Sequence, residues 1–194
     1  MGSEELTLRT SLSLALASWG LFYAAYRGYY AAGGTLGIPG TPVSESEFRS
    51  VNLVGAVVIA AWALFPLAAL PLWSRPRVRP VLLAVFWLGA VFLCMHALVD
   101  MTERVLSLAG VIEIDYPDSF WASHDGLSAD LQDLLFNEPW FLVDGLGAAA
   151  LAWISSAPGG HRRRWALVGV AVTCAFWAVG LLSVTHVIGK AIVG

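Results

Sequence analysis

The sequence predicts an all-α integral membrane protein, a bundle of five transmembrane helices. Of its 194 residues, 58% are hydrophobic and only 13% are charged, and the mean hydropathy is +0.71. Soluble domains carry about a quarter charged residues, so this composition excludes a water-soluble globule. At about 20 residues per crossing, no room remains for a soluble domain. Residues 1–194 are therefore expected to form a single membrane domain.

Charge and cysteine content exclude several function classes. The formal net charge is -3 and the cations are dispersed or lie in two short clusters, which excludes a nucleic-acid partner. Cys94 and Cys174 both lie inside apolar runs, without a vicinal pair. This arrangement excludes a disulfide framework and a thiol-redox membrane enzyme.

Five apolar stretches have the length of a membrane crossing, and each is bounded by charge, Pro or Gly. The first has a long apolar core with no small-residue cleavage site after it, so we expect it to remain in the mature chain. Residues 105–138 form the long connection, expected to act as a lid, in which Ser128 would cap a short amphipathic helix. The predicted spans are 10–32, 50–73, 80–104, 139–156 and 164–189.

The arginines predict the orientation of the bundle. Lys and Arg near span ends are retained on the cytoplasmic side. Two clusters, at residues 75–79 and 162–164, fall on the same side as Arg9. We therefore expect the amino terminus inside, the carboxyl terminus outside, and a multi-pass protein of the cell membrane.

Ionisable side chains concentrate at the outer end of the third and fourth spans. His96, Asp100 and Glu103 follow the spacing i, i+4 and i+7, so they share one stripe of one helix. Glu138 opens the fourth span, and Asp144 lies about 8 Å further in. Charged residues in a span are costly and usually functional. These five residues are the candidate catalytic groups.

Other polar and aromatic residues fall in the same layer and are candidates for binding a substrate. A pocket for an amphipathic molecule needs such a polar layer with apolar walls. Tryptophans 19, 62, 87, 140 and 177 lie deep enough to line a cavity, although core packing would explain them equally well. The substrate-binding candidates are Arg27, Tyr30, Asn52, Trp87, Trp140, Trp177 and His186.

Structural roles compete with these assignments. Asp100 and Glu103 would also fit the interfacial end of a helix, and His96 would fit a core histidine bonded to Asp100. Asp144 would fit a structural ion pair with Arg27 or Arg104.

Two resemblances add expectations. The segment Tyr29–Pro39, preceded by Arg27, resembles an uncharacterised family of small bacterial membrane proteins with an aromatic-Ala-x-Gly-Gly-x-x-Gly segment after the first helix. This resemblance covers about the first third of the chain and assigns no activity. The arrangement of His96, Asp100, Glu138 and Asp144 is similar to that in emopamil-binding sterol isomerases and in small membrane terpene cyclases of bacterial indole-sesquiterpenoid and fungal meroterpenoid pathways. In those families an intramembrane carboxylic acid protonates an alkene or epoxide, and aromatic faces hold the carbocation.

The leading hypothesis is therefore a membrane terpene cyclase or isomerase for an isoprenoid or lipid-like substrate. Asp100 or Asp144 would donate the proton, His96 or Glu103 would be its partner, and tryptophans 87 and 140 would stabilise the cation. No cofactor and no metal motif is expected, and membrane lipid is the other expected partner. The alternatives are a lipid or small-solute binding or transport protein, a b-type haem protein with His96 and His186 as axial ligands, and an accessory subunit of a larger complex.

Overall fold

The computed structural model describes residues 3–156 and 159–185, and this part of the chain is mostly helical. Five long helices form this part of the chain, and two of their connections together form a lid. The connection between the first two long helices contributes one short strand, and the longer connection between the third and fourth contributes a second strand and a short helix. A 3-10 turn, Leu70–Leu72, extends the second helix. The elements are α1 (Ser3–Ala31), β1 (Gly40–Pro42), α2 (Glu45–Ala69), α3 (Arg79–Leu108), β2 (Trp121–His124), α4 (Gly126–Gln132), α5 (Glu138–Ser155) and α6 (Gly160–Val184).

The long helices run back and forth between two chemically different ends. At the arginine end, Arg79 at the start of α3 donates two hydrogen bonds to the Ser155 carbonyl at the end of α5, at 3.2 and 2.7 Å. Arg9 of α1 lies over the ring of Trp73 there, 5.2 Å from its centroid. The opposite end, here called the lid end, is covered by β1, β2 and α4.

Local capping explains why the helix boundaries differ from the predicted spans. The Ser44 side chain accepts from the Glu47 amide, so α2 begins five residues before the predicted span at 50. The lid helix α4 begins at Gly126, because Asp125 and not Ser128 is its cap. The Ser128 hydroxyl donates to Asp125 at 2.6 Å, and this bond holds the pKa of Asp125 below its usual value. The predicted end of the last span, at 189, lies outside the described residues.

Among the described residues, three helical segments are long and apolar enough to cross a membrane: Glu45–Leu72, Arg79–Leu108 and Gly160–Val184. The helical architecture is confirmed, and these three segments are compatible with the predicted membrane location. Helix α5 has 18 residues, among them the carboxylates Glu138 and Asp144. Large apolar side chains on α2, α3 and α6 point away from the protein, among them Val54, Val81 and Leu167, as expected for contact with lipid.

Small residues allow the helices to approach closely. Helix α1 packs against α2 and α5, and α3 packs against α5 and α6. A Cβ added at Gly20 would lie 2.6 Å from the Ala63 Cβ, and one at Gly145 would lie 2.7 Å from the Cys94 sulfur. Small residues at such crossings let backbones meet, which is how membrane helices gain packing energy. The buried apolar core lies toward the arginine end, around Phe86 and Leu151.

Substitution of Gly20 tests the α1–α2 contact. Gly20→Ala should lower the stability of the purified protein by about 1–3 kcal/mol, because the added methyl group overpacks the crossing at Ala63. Gly55→Ala is the matched control on α2, since nothing lies within 4 Å of its added Cβ, and its better helix propensity should leave stability unchanged or slightly higher. Thermal unfolding in detergent, followed by tryptophan fluorescence, measures both. Equal unfolding temperatures would show that α1 and α2 do not meet at Gly20.

Candidate functional site

A two-stranded sheet at the lid end joins the segment after α1 to the segment before α4. Gly40 pairs with His124 and Thr41 with Ser123, in antiparallel register. The chain turns between α1 and β1 through Gly33 and Gly37, whose φ angles of 94° and 80° favour glycine. The Gly-rich segment Tyr29–Pro39 is thus a structural connection that leads into the lid.

The predicted substrate residue Tyr30 supports this connection. Its hydroxyl group lies within hydrogen-bond distance of the Tyr26 hydroxyl, at 3.0 Å, and of the Leu36 carbonyl, at 3.2 Å. Tyr26 in turn accepts a hydrogen bond from Gln132 of α4. Tyr30 is buried and holds α1, the glycine turn and α4 together.

Arg104 of α3 attaches the lid helix to the bundle. Its guanidinium lies 3.4 Å from the Asp130 carboxylate and 3.0 Å from that of Asp133. Asp130 also accepts hydrogen bonds from the hydroxyls of Ser107, at 2.6 Å, and Tyr116, at 2.9 Å. Burial raises the pKa of Tyr116, so its hydroxyl remains a donor at neutral pH. The lid is therefore fixed by charged contacts that the sequence analysis did not predict.

A wide helical turn connects α4 directly to α5. Residues Asp133–Asn137 form one π-helical turn, in which the Glu138 amide bonds to the carbonyl of Asp133, five residues back. Pro139 has no N–H to continue the regular ladder, which explains the irregularity at this point. As a result Glu138 enters the bundle and is only 5% exposed.

The turn brings Glu138 beside the predicted stripe of α3. The His96 Nδ1 lies 3.5 Å from an Asp100 oxygen, and the His96 Nε2 lies 3.7 Å from an oxygen of Glu138. One ligand atom from each residue fits within 4.8 Å of the other two. Glu103 is not part of this cluster; it lies half-buried on α3 next to Arg104. Three of the five catalytic candidates, His96, Asp100 and Glu138, thus form one cluster.

A cavity with a volume of about 430 Å³ lies between α1, α2, α3 and α5. Asp144 is the one carboxylate in its wall, where the remaining side chains are aromatic, aliphatic or absent. The lining residues are Trp19, Gly20, Tyr23, Val58, Ile59, Trp62, Leu88, Gly89, Phe92, Leu93, Trp140, Phe141 and Asp144.

Asp144 is only 9% exposed. The Trp62 side chain of α2 lies beside it in the cavity wall. The alternative of an ion pair with Arg27 or Arg104 is not observed. Arg27 donates to Asn52 at 3.2 Å and to the Tyr23 hydroxyl at 3.1 Å, and Arg104 is held by the lid carboxylates.

Stacked aromatic rings form one wall of the cavity. The rings of Trp19 and Trp140 stack with centroids 3.8 Å apart, and Tyr23 stacks on Trp140 at 5.3 Å. The opposite side is more open: Val58 of α2 is 61% exposed and Leu88 of α3 is 70% exposed, although both line the cavity. The cavity therefore opens sideways between α2 and α3.

A smaller and more polar cavity of about 210 Å³ lies under the lid. Arg27 and Asn52 are in its wall together with Tyr30, so these three predicted binding residues share one cavity, although a different one from Asp144. Asn52 is buried and donates to the Phe48 carbonyl at 2.9 Å. The Tyr23 hydroxyl, which accepts from Arg27, stands between the two cavities.

The remaining predicted binding residues lie elsewhere. Trp87 belongs to the apolar core at the arginine end and does not line the cavity. Trp177 of α6 donates its indole N–H to the Thr102 hydroxyl at 3.1 Å, which fixes α6 against α3. His186 lies outside the described residues, so the haem alternative has no described second ligand.

Tyr23, Phe92 and Phe141 are wall residues that the sequence analysis missed. The spacing of Trp19, Tyr23, Tyr26 and Tyr30 along α1 places their rings on one face, and this pattern was the available signal. Phe92 and Phe141 are ordinary apolar residues in sequence. They become recognisable only once α3 and α5 are seen to face each other.

No protein-family model matches this sequence, and neither the curated proteins nor the solved structures yield a match. The functional interpretation therefore rests on the chemistry of the described residues.

Proposed function

We propose that this protein is a membrane enzyme that isomerises or cyclises an isoprenoid or similar lipid-like substrate by acid catalysis. One observation carries the proposal: a single carboxyl group, Asp144, is set in the wall of a cavity otherwise lined by aromatic and aliphatic side chains. Such walls suit a hydrocarbon chain.

The proposed reaction needs no co-reactant. The Asp144 carboxylic acid gives its proton to one carbon of a double bond, which forms a C–H bond and leaves a carbocation on the other carbon. The stacked rings of Trp19 and Trp140 line the cavity, and aromatic rings stabilise a nearby positive charge. Loss of a proton from a neighbouring carbon to the Asp144 carboxylate then forms a new double bond and regenerates the acid. Substrate and product are isomers.

The side opening supports a substrate that arrives from the lipid phase. Lipid-like molecules partition into a bilayer, and the gap between α2 and α3 gives them a path that avoids water. The same cavity would serve a lipid or small-solute binding or transport protein, in which Asp144 would orient the bound molecule without reacting. Product formation distinguishes the two functions.

We further propose that all five long helices cross the cell membrane, with the arginine end in the cytoplasm. Helix α5, the shortest, has 18 residues and a length of about 27 Å, close to the hydrocarbon thickness of a bilayer. Helix α1 runs beside α2 over its length, so both would lie at the same depth. The arginines at residues 75–79 and 162–164 would then follow the positive-inside rule.

Reporter fusions test this topology. A reporter joined after Gly194 should behave as extracytoplasmic, and one inserted in the loop after Arg75 should behave as cytoplasmic, because an odd number of crossings separates the two sites. A cytoplasmic signal from the Gly194 fusion would eliminate the five-span arrangement.

Asp144→Asn tests the acid. The amide keeps the size of the side chain and much of its hydrogen bonding but has no proton to donate, so turnover should fall by about 10²–10⁴-fold. The assay incubates purified protein with farnesyl- and geranylgeranyl-bearing alkenes and epoxides. Chromatography with mass detection then identifies products of unchanged mass and altered retention.

The matched control is Asp118→Asn, the same chemical change at an exposed position of the lid segment, which should retain wild-type turnover. Wild-type turnover in Asp144→Asn would contradict the proposed role of Asp144. A wild-type protein that binds these compounds without converting them would instead be a binding protein.

Trp140 tests the aromatic wall. Trp140→Phe keeps a π face over the cavity, whereas Trp140→Leu removes it at a similar loss of volume. The Phe variant should therefore retain more activity than the Leu variant, and the product ratio should change most in the Leu variant. Product analysis, normalised to folded protein, measures the difference. Equal rates and product patterns would assign Trp140 to packing alone.

A further inference from the structure

We infer that His96, Asp100 and Glu138 form a binding site for a divalent transition-metal ion such as Zn²⁺ or Mn²⁺. The cluster joins α3 to the first residue of α5, and one ligand atom from each side chain lies within 4.8 Å of the other two. Around a tetrahedral Zn²⁺ with bonds of about 2.1 Å, ligand atoms lie about 3.4 Å apart. A single ion can bind only one ring nitrogen of His96. With Nε2 as that ligand, its separation of 3.7 Å from the Glu138 oxygen is close to this value.

The burial of Glu138 and its unsatisfied carboxylate oxygen independently indicate a bound cation. Its side chain is only 6% exposed, and its Oε2 atom is buried without a hydrogen-bond donor. The His96 Nε2 is 3.7 Å away, which is beyond hydrogen-bond distance. A buried carboxylate oxygen with no donor is costly. A cation between Glu138 and His96 would satisfy it.

The charges around the cluster favour a cation. Two carboxylates converge here, and the neighbouring arginines are engaged by other groups. Arg104 is held by Asp130 and Asp133, and Arg27 donates to Asn52 and Tyr23. Ionised Asp100 and Glu138 with a neutral imidazole carry a charge of about -2, which a divalent ion would neutralise. His96 is 34% exposed, so an ion has access to the site.

The set of donor atoms narrows the choice of metal. One imidazole nitrogen with two carboxylate oxygens suits Zn²⁺ and Mn²⁺, whereas an all-oxygen set would suit Mg²⁺ or Ca²⁺. No cysteine belongs to the cluster, so a thiolate site is not indicated.

The site adjoins the apolar cavity without opening into it. The His96 ring lies edge-on to Phe141, with centroids 4.8 Å apart, and parallel to Phe92 at 6.3 Å. Both phenylalanines line the cavity. A bound ion would therefore hold the wall between α3 and α5 in place, a role separate from proton donation by Asp144.

Metal titration of the full chain tests the proposal. Protein purified in detergent and treated with EDTA is titrated with Co²⁺, followed by its visible absorption, and then with Zn²⁺ as competitor. The wild type should bind one ion per chain. His96→Gln and Glu138→Gln should each weaken binding by at least about tenfold. Asp118→Asn, the exposed control, should bind as the wild type does.

Two further measurements distinguish loss of metal binding from misfolding of a variant and from failure of the acid-catalysis proposal. Zn²⁺ should raise the unfolding temperature of the wild type, a result that needs no variant to fold. Asp144→Asn should bind Co²⁺ normally, so that failure of the acid-catalysis proposal leaves the metal result intact. Folded wild-type protein that binds no Co²⁺ or Zn²⁺ would overturn the proposal, and so would binding that is unchanged in both His96→Gln and Glu138→Gln.

Discussion

Arg104 is held between the carboxylates of Asp130 and Asp133, and the arrangement of the lid end depends on this contact. A largely buried cation is tolerated only when it is paired, and here the pair joins α3 to α4 and to the wide turn. Because that turn continues into α5 without a loop, the same contact sets how deeply Glu138 and Asp144 enter the bundle. The position of the lid therefore determines where Glu138 and Asp144 lie in the bundle.

Composition and local patterns were sufficient to predict the helical architecture. The hydrophobic content indicated membrane helices, Glu138-Pro139 marked the start of α5, and the i, i+4 spacing placed His96 next to Asp100. Helix ends were predicted less well, because capping side chains such as Ser44 lie outside the apolar stretch that defines a span. Hydropathy measures lipid compatibility, and a helix extends as far as its hydrogen bonds are satisfied.

Contacts between residues that are far apart in the chain could not be predicted from the sequence. The pairing of Gly40 with His124 joins two segments that are distant in the chain and too short to show a strand pattern. The cavity wall likewise depends on which faces of α1 and α5 meet, so Trp19 and Trp140 were recognisable as deep aromatic residues but not as a stacked pair. Trp87 also lies deep in a predicted span, but its side chain packs into the apolar core instead. Periodicity fixes a residue's own helix face, whereas its neighbour depends on the order and tilt of the helices.

The proposed entry of a substrate between α2 and α3 has a consequence for how binding would depend on the surrounding lipid. For a molecule that enters from the bilayer, occupancy of the cavity depends on the mole fraction of that molecule among the lipids. Its total concentration in the sample does not determine the occupancy. Adding inert lipid or detergent at constant amounts of protein and ligand would dilute the ligand in two dimensions and lower cavity occupancy. Apparent affinities would then scale with the amphiphile present, a surface-dilution behaviour set by the position of one gap between two helices.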